Sequence, residues 1–420
     1  MNFTPTELGA SVIFAIAVLH TFCTSYFEVL AKKSPRHAGL WHLLGEVEIV
    51  FGFWAAILIL FMWLVSDLAA AKEYANKRNF TEPLFVFAIM VVAGSKPILH
   101  FATQLLQSLG KAIQLAFRTK QAPTLYFLTL SMTPLLGSLI TEPAAMTLAA
   151  FLLRDLVYRH QCSTPLLYGT LGALFVNISI GGTLTNFAAP PVLMVASTWN
   201  WDTPFMFANF GLEATIAIFI NATVATLLFH KQLIEPESQS KTTRIPVAIT
   251  AIHLLFLAGI VLFAHDPVIF TWLLLFFIGF ITAYPKHQSP LILREALLVG
   301  FFLAGLVVLG GLQGWWLQPI LEVMSPTAVF YGSLALTAIT DNAALTYLGS
   351  LVQGTSPEFK LALVGGAVAG GGLTVIANAP NPAGLAILRS HFPNAAVSAG
   401  LLFVAAIPPT IVAILALRLL

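Results

Sequence analysis

Two acidic residues lie in strongly apolar stretches, each inside a copy of one short pattern. Residues 138–147 read S-L-I-T-E-P-A-A-M-T and residues 337–346 read T-A-I-T-D-N-A-A-L-T. Thr141 aligns with Thr340, Glu142 with Asp341, Ala144-Ala145 with Ala343-Ala344, and Thr147 with Thr346. An ionisable side chain in such surroundings is costly and marks a functional position. A second pair follows downstream. G-G-T-L-T-N-F-A-A-P-P at 181–191 parallels G-G-L-T-V-I-A-N-A-P-N at 371–381. Together the four segments supply carboxylates (Glu142, Asp341), hydroxyls (Thr141, Thr340, Thr183, Thr185) and amides (Asn342, Asn186, Asn378, Asn381). That is a hard-oxygen donor set, suited to a small hard cation such as sodium and poor for soft metals. A buried carboxylate is disfavoured as a bare anion. It takes up either a proton or a cation, and that competition is the physical basis of an antiporter.

The elements that position these residues are membrane spans. The chain is 58% hydrophobic and 9% charged over 420 residues, against about 25% charged in soluble domains, and its mean hydropathy is +0.87. The apolar runs are near the ~20 residues a helical span needs, without the alternation of barrel strands. They fall at 9–31, 41–66, 83–108, 122–153, 165–198 and 204–230, then, after the polar stretch 231–244, at 245–265, 267–284, 293–312, 318–353, 360–390 and 394–418. The expected fold is an all-α polytopic membrane protein of two repeats, 1–230 and 245–420, joined by a cytoplasmic linker at 231–244.

Two elements in each half are abnormal. The runs 122–153 and 318–353 are too long for one span and carry the T-[E/D] pattern near the middle, as re-entrant hairpins would. The runs 165–198 and 360–390 carry Gly-Gly and Ala-Pro interruptions that unwind a helix. Irregular backbone at membrane depth is tolerated only where it is buried in protein or lines a wet cavity. Each half then has three helices, a hairpin, a broken helix and a final helix, giving about ten crossings plus two hairpins. Because each half crosses five times, the halves are inverted. Loop charge agrees. Lys32, Lys33, Arg36, Lys111, Arg118, Lys120, Arg154, Arg159, Lys231, Lys241, Arg244, Lys286, Arg294 and Arg389 fall on one side, and Lys72, Lys77, Arg78, Lys360 and Arg418 on the other. The positive-inside rule puts the first set in the cytoplasm and both termini outside. Paired Gly/Pro-interrupted segments in two halves are the mark of a secondary transporter.

Other polar residues lie outside the repeat. Glu28, Glu46, Glu48, Lys96 and His100 fall in or near the first three spans. Glu46 and Glu48 are two apart and so face different sides of a helix. Lys96, before Pro97, is a partner for one of them, in a buried ion pair or a proton relay. Intramembrane Thr and Gly-Gly also serve plain helix packing; the case for a site rests on acid, Thr and small residues recurring at matched offsets. Cys23 and Cys162 show no metal spacing. The first apolar run has no basic flank or cleavage site and reads as a retained helix.

On T-E-P-A-A-M-T, I-G-G-T-L-T-N-F-A-A-P-P, T-D-N-A-A-L-T and G-G-L-T-V-I-A-N-A-P-N-P, the chain resembles the ion transporter superfamily. That superfamily groups divalent-anion/sodium symporters, arsenite transporters and some bacterial sodium/proton antiporters. It is most similar to the antiporter branch, whose hairpin tip carries an Asp-Asn pair like Asp341-Asn342. It departs at Glu142-Pro143, where that branch has Asp-Asn, and at the tips, where the anion symporters have Ser-Asn-Thr. The resemblance implies an elevator-like mechanism and a homodimer.

The sequence thus predicts a secondary active transporter in the inner membrane of a bacterium, a sodium/proton antiporter rather than an enzyme. Its partners are the lipid bilayer, a monovalent cation and the proton, with no nucleic acid and no cofactor. A sodium-coupled organic-anion or oxyanion transporter is the alternative; it needs donor-rich contacts at the centre, where two carboxylates would repel an anion. No G-x-x-x-x-G-K-[S/T] motif for a nucleotide-driven pump and no H-E-x-x-H spacing occur.

Overall fold

A computed structural model describes residues 3–159, 162–235 and 245–419, apart from the side chains of Ser25, Glu28 and Asn394. Most of the expected linker (236–244) and the Glu28 side chain therefore lie outside the described residues. Among the described residues the chain is helical, with no strand. The principal helices are α1 Pro5–Phe22, α2 Val47–Val65, α3 Thr81–Ala93, α4 Lys96–Phe117, α5 Gln121–Ile140, α6 Glu142–Leu153, α7 Thr164–Gly181, α8 Pro190–Trp199 and α9 Leu212–Phe229 in the first half. The second half has α10 Val247–Leu262, α11 Pro267–Ala283, α12 Leu293–Gly310, α13 Pro326–Thr337, α14 Asn342–Ser350, α15 Pro357–Gly370, α16 Pro380–Leu388 and α17 Ala399–Leu419.

Helix starts are written in the sequence as a hydroxyl residue followed by proline. Ser163, Ser325 and Ser356 each accept a backbone N–H of the first turn of α7, α13 and α15. Thr4 and Glu7 close a reciprocal capping box on α1. Proline at the start costs nothing there, because that N–H has no intrahelical partner.

Among the described residues seven helical stretches are long and apolar enough to cross a membrane, or eight if the bent pair α3–α4 is one span. One of the eight is α5, an arm of an expected hairpin; of the ten expected crossings, α10 and α11, with 16 and 17 residues, and the element made of the short helices α15 and α16 fall short of full spans. The four expected interruptions are present, at Thr141, at 338–341, at 182–189 and at 371–379. A fifth was not anticipated. The run 83–108 bends by 65° between α3 and α4, where Ser95 takes extended geometry ahead of Lys96-Pro97. Proline in the first turn of α4 removes the donor that would have carried the helix through.

The helices sort into two groups by what they bury. In one, α1, α2, α3, α10, α11 and α12 share an apolar core that includes Phe14, Leu58, Phe85, Ile260, Phe270 and Leu306. In the other, α5 to α9 and α13 to α17 close around Val176, Phe210, Phe330 and Val364, and around Tyr126, Leu171, Phe175 and Ala222. Each group draws on both halves of the chain, and small residues allow the close approach. A Cβ at Gly305 on α12 would lie 2.3 Å from the backbone of Gly52 on α2, and one at Gly172 on α7 would lie 2.8 Å from the Ala405 backbone on α17. Ile140, Ala144, Ala343 and Ala344, beside the two T-[E/D] interruptions, pack on the first group. The candidate site therefore sits where the two groups meet.

Candidate ion-binding site

α5 ends because Thr141 adopts φ 74 and ψ 151, a region that essentially only glycine occupies and that costs about 1–3 kcal/mol for other residues. α6 then starts at Glu142 and doubles back on α5: a Cβ at Gly137 would meet the Ala145 side chain at 3.2 Å. Ser138 on the last turn of α5 ties this corner to the 182–189 break. Its hydroxyl donates to the Gly181 carbonyl (2.7 Å) and accepts the Leu184 N–H (3.0 Å), while its own carbonyl accepts the Thr185 hydroxyl (2.7 Å).

Glu142 is fully buried, at 0% exposure. Its Oε2 accepts a hydrogen bond from Asn378 Nδ2 at 2.8 Å, across the two chain halves. Its Oε1 has no hydrogen-bond partner among the described residues and rests against Gly182, where a Cβ would lie 2.4 Å from it. Only glycine leaves that carboxylate its place. The oxygens of Thr141, Asn342, Asn378 and Asn381 are likewise buried without a partner. These residues are joined by contacts: the Asn342 N–H donates to the Ala377 carbonyl (3.1 Å), the Asn381 N–H to the Asn378 carbonyl (3.0 Å), and Asn381 Nδ2 to the Gly371 carbonyl (2.8 Å). Each orphaned buried polar atom costs about 1–3 kcal/mol. Five residues with unpaired oxygens, one a carboxylate, make a donor set that a hard cation would satisfy.

Asp341 is placed differently. It is the N-cap of α14, and its Oδ1 accepts the N–H groups of Ala343 (2.8 Å) and Ala344 (3.1 Å). It is half-buried and, with Thr340, lines a cavity of about 160 Å³ whose other wall includes Phe14, Val47, Phe51 and Phe302.

The contacts around the two interruptions recur. Glu142 N–H donates to the Ala188 carbonyl (3.4 Å) as Asn342 N–H does to that of Ala377 (3.1 Å). The Thr185 hydroxyl donates to the Ser138 carbonyl as that of Thr374 does to Ala338. Gly182 faces Glu142 as Gly371 faces Asn342, and Gly181 and Gly370 lie against the carbonyls of Pro134 and Leu334. This set pairs Glu142 with Asn342 and Thr141 with Asp341. It is one residue out of step with the motif, which pairs Glu142 with Asp341.

Of the residues expected at the site, Glu142, Thr141, Asn342, Asn378 and Asn381 come together. Thr183, Thr185 and Thr340 are close in sequence but give their hydroxyl protons to the carbonyls of Ile180, Ser138 and Leu336. Asn186 is elsewhere: its Nδ2 donates to the Trp201 carbonyl (3.1 Å) and its Oδ1 accepts the Thr203 hydroxyl (2.9 Å). The helical break turns it away from the centre. Glu46, at the N-cap of α2, pairs with Arg294, and no ion pair joins Lys96 to Glu46 or Glu48 among the described residues. Ser138 and the glycine faces of Gly182 and Gly371 were present in the repeated words, but nothing in the sequence assigned them these contacts.

An all-helical chain with this many apolar spans is a multi-pass membrane protein. A family model described as "Putative Na+/H+ antiporter" matches residues 5–420, and the chain belongs to that sodium/proton antiporter family. A search of curated proteins found no match.

Proposed function

We propose that the protein exchanges sodium for protons by alternating access, with Glu142 as the group for which the two ions compete and Asp341 as a second carboxylate at the same centre. The observation that carries this reading is Glu142 itself. It is fully buried at a helix interruption, with one oxygen held by Asn378 and the other unpaired against Gly182. An isolated buried carboxylate is disfavoured as an anion, so it holds a proton until a cation replaces it. The unpaired oxygens of Thr141, Asn342, Asn378 and Asn381 would complete the cation's shell.

In this reading the recurring contacts belong to two inverted repeats, α5–α6 and α13–α14 are re-entrant hairpins, and α7–α8 and α15–α16 are broken helices. The group built on α5 to α9 and α13 to α17 would move against the other. The chain would lie in a bacterial inner membrane with both termini outside, as a homodimer, with no cofactor. The anion-transporter alternative is weaker. An anion would use the free N–H groups at the start of α14, and Asp341 already occupies those of Ala343 and Ala344.

Sodium-evoked proton flux in proteoliposomes tests the proposal, comparing wild type with Glu142→Gln. Flux in the wild type that the inserted variant lacks is expected. Equal flux in both, or uptake of a carboxylate or oxyanion without sodium-coupled proton movement, would refute it.

A further inference from the structure

A second polar cavity, of about 490 Å³, lies at the end of the fold where α3 begins and α8 ends, and its walls include Glu82, Asn186, Trp201, Asp202 and His265. We propose that it binds a hydrated monovalent cation on the external side, as an entry site separate from Glu142. The proposal rests on the antiporter reading for its transport consequence, but not for the binding itself.

Glu82 carries the argument. It is 8% exposed, and its Oε1 accepts hydrogen bonds from the Ser197 hydroxyl on α8 (2.6 Å) and from Asn79 Nδ2 (3.2 Å). Both of these bonds fall on Oε1, and the side chain forms part of the cavity wall. Its place in the first turn of α3 favours an acidic residue, but does not account for its burial or for the reach of Ser197 from another helix. Among the described residues no lysine or arginine lines the cavity. Two carboxylates, Glu82 and Asp202, line it, so the ligand it suits is a cation. At about 30 Å³ per water there is room for an ion with its hydration shell, which the closed surroundings of Glu142 do not offer.

The cavity is also joined to the centre. Asn186, on its wall, lies in the break between Thr185, bonded to Ser138, and Ala188, whose carbonyl accepts the Glu142 N–H. The same end of the fold carries the segment with Lys72, Lys77 and Arg78, the short helix Leu68–Asn76 and its C-cap, the external side by charge between the spans.

Trp201 provides a direct readout, since it is the tryptophan that lines the cavity among the described residues. The full-length protein in detergent is titrated with thallous ion, a monovalent cation that quenches tryptophan, in chloride-free buffer. A saturable quenching component, displaced by sodium, is expected. It should vanish in Trp201→Phe, weaken at least tenfold in Glu82→Gln and in Asp202→Asn (which keeps the cap on Phe205), and persist in Glu142→Gln. No saturable component in the wild type, one unchanged in both Glu82→Gln and Asp202→Asn, or one lost in Glu142→Gln alone would overturn the proposal. Saturable quenching with these properties in a protein that moves no protons with sodium would sink the antiporter reading and leave this site standing.

Discussion

Glu142 and Asp341 stand in matching words of sequence, yet the backbone treats them differently. α6 begins on Glu142 and α14 begins one residue after Asp341. Asp341 therefore spends an oxygen on the first N–H groups of its helix, whereas the Glu142 carboxylate touches no backbone donor of its own helix and is met by Asn378 from the other half of the chain. The position that matches Asp341 in its contacts is Thr141, which caps nothing and takes φ 74 instead. The first half thus has its carboxylate free of its own helix and its backbone strained; the second has its carboxylate engaged by its own helix and its backbone relaxed. In the proposed reading ion exchange falls to Glu142, while Asp341 has a structural task as the cap of α14.

Breaking the free carboxylate should have the largest effect. Glu142→Gln removes the fully buried carboxylate whose Oε1 has no hydrogen-bond partner among the described residues, so sodium-driven proton flux should fall by about 100-fold or more, ~2.7 kcal/mol. Its setting comes next. Asn378→Ala removes a hydrogen bond to a charged group worth about 1.5–3 kcal/mol and should raise the sodium concentration for half-maximal flux by about tenfold. Gly182→Ala pushes a Cβ into Glu142 Oε1, the movable end of a side chain, so the protein should still insert, with half-saturation again raised by about tenfold, ~1.4 kcal/mol. At the engaged carboxylate the readout is stability. Asp341→Ala should lose about 1 kcal/mol of cap energy, seen as a lower thermal midpoint in detergent, while Asp341→Asn, an equally good cap, should keep it. Smallest is Thr141→Gly, which relieves the positive φ and should raise that midpoint by the equivalent of about 1 kcal/mol. If Asp341→Asn lost as much stability as Asp341→Ala, the contrast between the two halves would fail on its structural side.

Much of this was legible in the sequence for definite reasons. The interruptions at Thr141, at 338–341, and at the two Gly-Gly and Ala-Pro words were visible because glycine, proline and buried acids are costly inside apolar helices. The bend after Gly94 was not, because Lys96-Pro97 has no counterpart in the second half to mark it as an interruption. Asn186 was placed with the other amides because composition does not reveal which way an unwound segment turns. The one-residue change of register was invisible for a similar reason: aligned letters do not say which residue caps a helix and which begins it. The bonds of Ser138 depend on three elements meeting, which no local pattern encodes.

The competition at Glu142 can be tested without a membrane. Sodium added to the purified, weakly buffered protein should release protons, read by a pH-sensitive dye, and the release should persist in Asp341→Asn and vanish in Glu142→Gln. Undiminished proton release from a folded Glu142→Gln protein would contradict the account.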